Sequence, residues 1–311
     1  MNEEGDAHGS SHDDAGPPTD RGAAATWIGL PLSLAELSTD ECAHLLDGRA
    51  IALLPVGSTE PHGPHLPPAT DAILSEECCR RAASRLRDEG YGAVIAPSIA
   101  YGVTRYARDF KGCVGVQEAT LIALLGDVVR GLLDDGFAHV AIVNNHLEPA
   151  HARAIEHVVQ EVCGERGPEV ASFPSQLTKR WARTLTPEFK RGDCHAGSYE
   201  TSLVLAARPT LVRIQTAASL PSLDVSLSRA IAEKGEEAVT FASIGMSRAY
   251  TGAPAEGTAR DGDAIYALLV EMIVTEVREH LTLASENTDR GALDSLGALD
   301  AHHARPPEAS S

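Results

Sequence analysis

Short apolar runs alternating with longer amphipathic stretches are what most constrains this 311-residue chain. Ala50 to Val56 is apolar throughout and stopped by Gly57. It is too short for an ordinary helix and reads as a buried strand. Ala93 to Pro97, Val140 to Asn145 and Glu169 to Phe173 read the same way. Between them lie helical stretches. Leu34 to Leu46 is opened by Ser33 with Glu36 three residues on, and Ala72 to Arg87 carries the stripe Leu74, Cys78, Ala82, Leu86. Gln117 to Leu133 and His151 to Cys163 follow. The alternation predicts an α/β chain, a three-layer α/β/α sandwich with a mostly parallel sheet. One domain is expected over 26–283. Residues 1–25 and 284–311 are polar and Gly/Ser/Pro-containing, and are expected to be disordered tails.

The strand ends carry the chemistry. After Val56 the chain runs Gly-Ser-Thr-Glu60-Pro-His62-Gly-Pro-His65-Leu-Pro-Pro-Ala-Thr-Asp71. Glu60 and His62 are two apart, so in extended backbone they leave one face. After Val143 come Asn-Asn-His146-Leu-Glu148, again a histidine and a carboxylate two apart. Neighbouring strand ends of a parallel sheet open onto one crevice, where such sheets bind ligands. A third cluster, Asp193-Cys-His195-Ala-Gly-Ser-Tyr-Glu200, precedes another helical stretch. Mixed imidazole and carboxylate donors suit Zn²⁺, Mn²⁺ or Fe²⁺. Three carboxylates are many for one ion and suit a pair. His195 is a candidate general acid, because imidazole titrates near working pH; Glu148 and Glu200 are further catalytic candidates. His65 is read as hydrogen-bonding the loop.

A formal net charge of −18 argues against nucleic acid and anionic membrane as partners. No apolar run approaches the roughly 18 residues of a membrane span. Six cysteines without a C-x-x-C pair suggest a reduced, cytoplasmic protein. Ala100 to Gly115 has no clear period and reads as a substrate wall or a surface excursion, with Arg105 in it. Five cations lie between Lys179 and Arg191. With Arg105 they would bind an anionic substrate, or they decorate a solvated helix.

The first motif, Pro-Val-Gly-Ser-Thr-Glu-Pro-His-Gly-Pro-His-Leu-Pro with its Thr-Asp, resembles the signature of the creatininase (creatinine amidohydrolase) family. Asn-Asn-His-Leu-Glu, His-Ala-Gly-Ser-Tyr-Glu-Thr-Ser and Thr-Gly-Ala-Pro-Ala-Glu-Gly-Thr-Ala resemble further family motifs in order, over about residues 27 to 282. The resemblance implies two divalent ions per subunit, Glu60 and His146 on one, His62 and Glu148 on the other, and Asp71 between. It implies hydrolysis of a C–N amide bond in a cyclic amide, formamide or short peptide by a metal-bridged hydroxide with His195 as acid, and a homo-oligomer, commonly a hexamer. Leu147 stands where creatininase itself has a tyrosine, and the only tryptophans are Trp27 and Trp181. Arg105, Leu147, Trp181 and Asp193 are the candidate substrate contacts. A non-hydrolytic isomerase, lyase or small-ligand binding protein on the same site is the alternative class.

Overall fold

A computed structural model describes residues 27–47 and 49–303 of the chain, with side chains to residue 283. At its centre β1 (Ile51–Val56) pairs in parallel with β2 (Ala93–Ile95) on one side and β3 (His139–Asn144) on the other. β4 (Ala171–Ser172) extends β3, giving the all-parallel order β2-β1-β3-β4. The helices are α1 (Thr39–Leu46), α2 (Thr70–Asp88), α3 (Glu118–Asp135), α4 (Pro149–Arg166), α5 (Lys179–Ala182), α6 (Pro187–Arg191), α7 (Ser198–Ala207), α8 (Ile214–Ser219), α9 (Leu227–Lys234) and α10 (Ala259–His303).

Side-chain alternation along the strands builds two cores. Ile51, Leu53, Ala141 and Val143 face α2, α7 and α10, meeting Leu74, Cys78, Leu203 and Ile273. Ala52, Leu54, Val140 and Ile142 face α3 and α4, meeting Leu121, Leu125, Ile155 and Val158. Every residue of β1 and β3 is buried, as a parallel sheet covered on both faces requires. The expected α/β/α sandwich is the observed one. A smaller third cluster, Tyr106, Ala107, Val239, Phe241, Met246 and Ala249, lies apart from both cores.

Boundaries differ in three places. The first helix starts at a capping box formed by Ser38 and Glu41, not by Ser33 and Glu36. Ser33 is instead drawn into a parallel bridge with Ile95. The fourth strand is only two residues long. Where a tail is expected from residue 284, the helical backbone of α10 continues to His303. That stretch holds four alanines and three leucines, which favour helix, and no proline. The expected tail at 1–25 and residues 304–311 lie outside the described residues. Among the described residues, no helix is long and apolar enough to cross a membrane.

Candidate active site

The three motifs meet at the C-terminal edge of the sheet. The chain leaves β1 into a loop closed by the Glu60 N–H donating to the Pro68 carbonyl at 3.0 Å. That loop carries Glu60 and His62 and runs into α2, whose second residue is Asp71. Gly57 permits the return. A Cβ there would lie 2.6 Å from the Ala72 nitrogen, so only glycine lets α2 start against the strand. The chain leaves β3 into His146 and Glu148, the latter just before α4. Glu200 is in the first turn of α7. Before it Ala196 holds a left-handed φ of 51°, and its N–H donates to Glu200 Oε2 at 2.6 Å. Helices α2, α4 and α7 thus point their N-termini, which favour negative charge, at one cluster of carboxylates.

Three imidazoles turn into that cluster by one device. His62 gives its Nδ1–H to the Glu60 carbonyl at 3.0 Å. His146 gives its Nε2–H to the Val103 carbonyl at 2.7 Å, and His195 gives its Nε2–H to the Pro61 carbonyl at 3.1 Å. Each spends one N–H on backbone and presents the other nitrogen bare, the arrangement of metal-ligating histidines. His62 Nε2 lies 3.0 Å from Asp71 Oδ1 and 3.4 Å from Glu200 Oε2. His146 Nδ1 lies 3.0 Å from Asp71 Oδ2 and 3.3 Å from Glu60 Oε1. His195 Nδ1 lies 3.7 Å from Glu60 Oε1.

These spacings fit a cation. Bare nitrogen and carboxylate oxygen at such distances repel unless a proton or a cation lies between them. Donor separations of 3.0–3.4 Å are the edges that bonds of about 2.0–2.2 Å to one ion would span. His62 Nε2 and Asp71 Oδ2 are moreover buried with no directed hydrogen bond of their own. The donors sort into His62, Asp71, Glu200 and into Glu60, His146, Glu148, with a third set of Glu60, His62 and His195. This differs from the pairing that the resemblance implies. Glu148 sides with Glu60 and His146, and Glu200 stands beside His62.

Electrostatics agree in direction. Burial opposes charging of the His62 imidazole, but Asp71, Glu200 and Glu60 outweigh it and push it up to about 10. Burial likewise opposes charging of His146, and Glu60 and Asp71 raise it well above its ordinary value. Burial, followed by the neighbouring His62, pushes His195 down to about 4, so it is neutral near pH 7. Burial pushes Glu200 up to about 7 and raises Glu148 as well.

Other expected residues fall elsewhere. Leu147 lines the cavity. Arg105 contributes its backbone N–H to Glu148 Oε2 at 2.7 Å, while its guanidinium pairs outward with Glu118 and Glu237. Trp181 packs against the α10 side of the sheet, its indole N–H donating to Glu276. Asp193 turns away with Arg191 into a separate cavity of about 480 Å³. His65 bonds Thr201 of α7 at 2.9 Å rather than its own loop. Residues 100–115 do more than wall the site. Besides the Arg105 amide and the Val103 carbonyl, they supply Thr104 Oγ1, which donates to Glu60 Oε2 at 2.6 Å. Phe241 and Leu227 also line the cavity. No motif announces them, and the surrounding residues 226–246 carry other apolar side chains as well.

Fold and site together define a class: three-layer α/β proteins with a buried carboxylate–imidazole centre at their strand ends. Residues 35–277 match the family model described as Creatininase: Creatinine amidohydrolase. The chain therefore belongs to the creatininase family. It is 28% identical over 196 residues to the creatinine amidohydrolase of Pseudomonas putida, covering 58% of this chain and 72% of that one. It is 30% identical over 253 residues to the mycofactocin precursor peptide peptidase of Mycobacterium ulcerans (strain Agy99), covering 78% and 91%. A solved structure described as "Creatininase Mn" superposes with a TM-score of 0.61 at 25% identity, covering 80% of this chain and 98% of its own.

Proposed function

We propose that this chain is a metal-dependent amidohydrolase that cleaves a C–N amide bond in a small cyclic amide, a formamide or a short peptide. One observation carries the reading. Three buried imidazoles each satisfy one nitrogen on backbone and direct the other at carboxylates. The donors suit Zn²⁺ and Mn²⁺, with Fe²⁺ compatible. We assign two ions per subunit: His62, Asp71 and Glu200 hold one, and Glu60, His146 and Glu148 hold the other. Asp71, with one oxygen toward each histidine, lies between them. Four carboxylates offset the four charges of two divalent ions. Relatives named for creatinine and for peptide hydrolysis support an amide as substrate.

When bound, such ions supply an activated water and a positive centre for the amide oxygen. The chain's own residues do the rest. His195, with Nε2–H held by Pro61, accepts a proton at Nδ1 and passes it to the departing nitrogen. Glu60, whose Oε1 lies 3.7 Å from His195 Nδ1, favours the imidazolium that forms. Arg105 and Tyr106 hold Glu148 by their backbone N–H groups. Leu147, Tyr106 and Phe241 keep bulk water out. The test is release of ammonia, amine or carboxylate from a panel of cyclic amides, formamides and short peptides by metal-loaded protein. Turnover of a panel member without such release would move the site to an isomerase or lyase.

A further inference from the structure

The cavity between these residues measures about 60 Å³. That is room for a few waters, far short of the roughly 300 Å³ at which ligand pockets begin. Its floor is the fixed strand ends; its roof is not part of either main core. Phe241 lies over His195 with ring centroids 4.3 Å apart, and His62 lies 4.4 Å from the same imidazole. Leu227 completes the roof from α9.

Both roof residues ride on the segment 226–246, whose apolar support is the small third cluster. Its backbone ties to the site are the Phe241 N–H donating to the Tyr106 carbonyl at 2.8 Å and the Leu227 N–H donating to the Gly192 carbonyl at 2.9 Å. Two ion pairs hold its outer side, Arg153–Glu236 at 2.7 Å and Arg105–Glu237 at 3.3 Å. Such exposed pairs contribute little. Gly235 and Gly245 flank Phe241 with φ of 81° and 94°, and neither has another group within 4 Å of where a Cβ would stand. Glycine adopts either sign of φ without steric cost, so a change of backbone angle is least opposed at these two positions.

We infer that Phe241 is the specificity-determining residue of the site: its ring roofs the cavity over His195, and the 226–246 segment must lift it for an amide to enter. The inference rests on the amidohydrolase reading for its substrate, but the roof itself is a matter of geometry. The space that opens beneath a Phe241 still hinged at both ends favours a small planar amide over an extended peptide. Removing the ring removes that discrimination.

Cys194 also lines the cavity and reports access to it without metal or substrate. The experiment compares alkylation of Cys194 by iodoacetamide, read by peptide mass spectrometry against Cys163, in wild type, Phe241→Ala and Phe241→Leu. Phe241→Ala should react about tenfold faster at Cys194, and Phe241→Leu, which keeps the segment anchored, should fall between. On metal-loaded protein, kcat/KM for an acetylated tripeptide relative to creatinine should rise about tenfold or more in Phe241→Ala. Unchanged Cys194 labelling in both folded variants would overturn the roof. An unchanged substrate ratio in a wild type that cleaves both would overturn the sizing role. A wild type that cleaves neither of these nor any member of the amide panel defeats the amidohydrolase reading, and the labelling rates then decide the roof alone.

Discussion

Gly57 lies so close to Asp71 that a Cβ on the glycine would come within 2.8 Å of the Asp71 carbonyl carbon. The end of β1 and the start of α2 are thereby locked at backbone contact. The Asp71 carboxylate reaches both His62 and His146 only because of that lock. Gly57→Ala should displace the α2 start, cost about 1–3 kcal/mol as an overpacked site does, and lose most bound metal. Thermal melting with elemental analysis checks this. An unchanged melting temperature at full metal content would contradict it.

Thr104 acts on the same centre from the opposite wall. Its hydroxyl donates to Glu60 Oε2 at 2.6 Å in a buried setting. Thr104→Val keeps the shape and removes the donor. Metal affinity should weaken by about 10–100-fold, the usual effect of losing a hydrogen bond behind a ligand. Competition against a chelating dye measures it, and equal affinity would show that Glu60 needs no such support.

His195→Ala should retain its metals and lose turnover by about 10²–10⁴-fold, as expected when a proton donor is removed. The loss should shrink for an anilide with a good leaving group, which departs without protonation. Equal losses on good and poor leaving groups would take proton delivery away from His195.

A pH effect is expected away from the centre. His139 is buried, giving its Nδ1–H to the Glu169 carbonyl and accepting from Ser172 Oγ. Burial pushes it down from 6.5 to about 4 despite the Glu169 bond. Above 6.5 the folded and unfolded chains both hold it neutral, so it adds no slope. As pH falls from 6.5 toward 4 the unfolded chain takes a proton that the folded one refuses. Stability should then drop by up to about 1.4 kcal/mol per pH unit, roughly 3 kcal/mol in all. Urea midpoints of wild type and His139→Gln between pH 7 and 4.5 should converge as the pH falls; parallel curves would contradict the assignment.

Much of this was legible in the residues. Strands β1 and β3 are marked by unbroken apolar runs, and Glu60, His62, Asp71, His146 and Glu148 follow them at local spacings. His195 and Glu200 share one short motif. What sequence could not say is which way a side chain turns once three segments meet. Arg105, Trp181 and Asp193 are the right residue types near the right strands, yet each is drawn off by a partner: Glu118 and Glu237, Glu276, and Arg191. Glu200 beside His62 is a tertiary pairing, set by the left-handed turn at Ala196. Val103 contributes only a backbone carbonyl, which no side-chain pattern marks. Phe241 lies between the motif that ends at Ser202 and the one that begins at Thr251, in neither of them.

Native mass spectrometry after loading metal-stripped protein with Zn²⁺ counts the ions held on either side of Asp71. Wild type should take up two ions per chain, and Asp71→Ala should keep at most one while remaining folded. A wild type that takes up none, or an Asp71→Ala variant that still holds both, would rule out a two-ion centre with Asp71 between the ions.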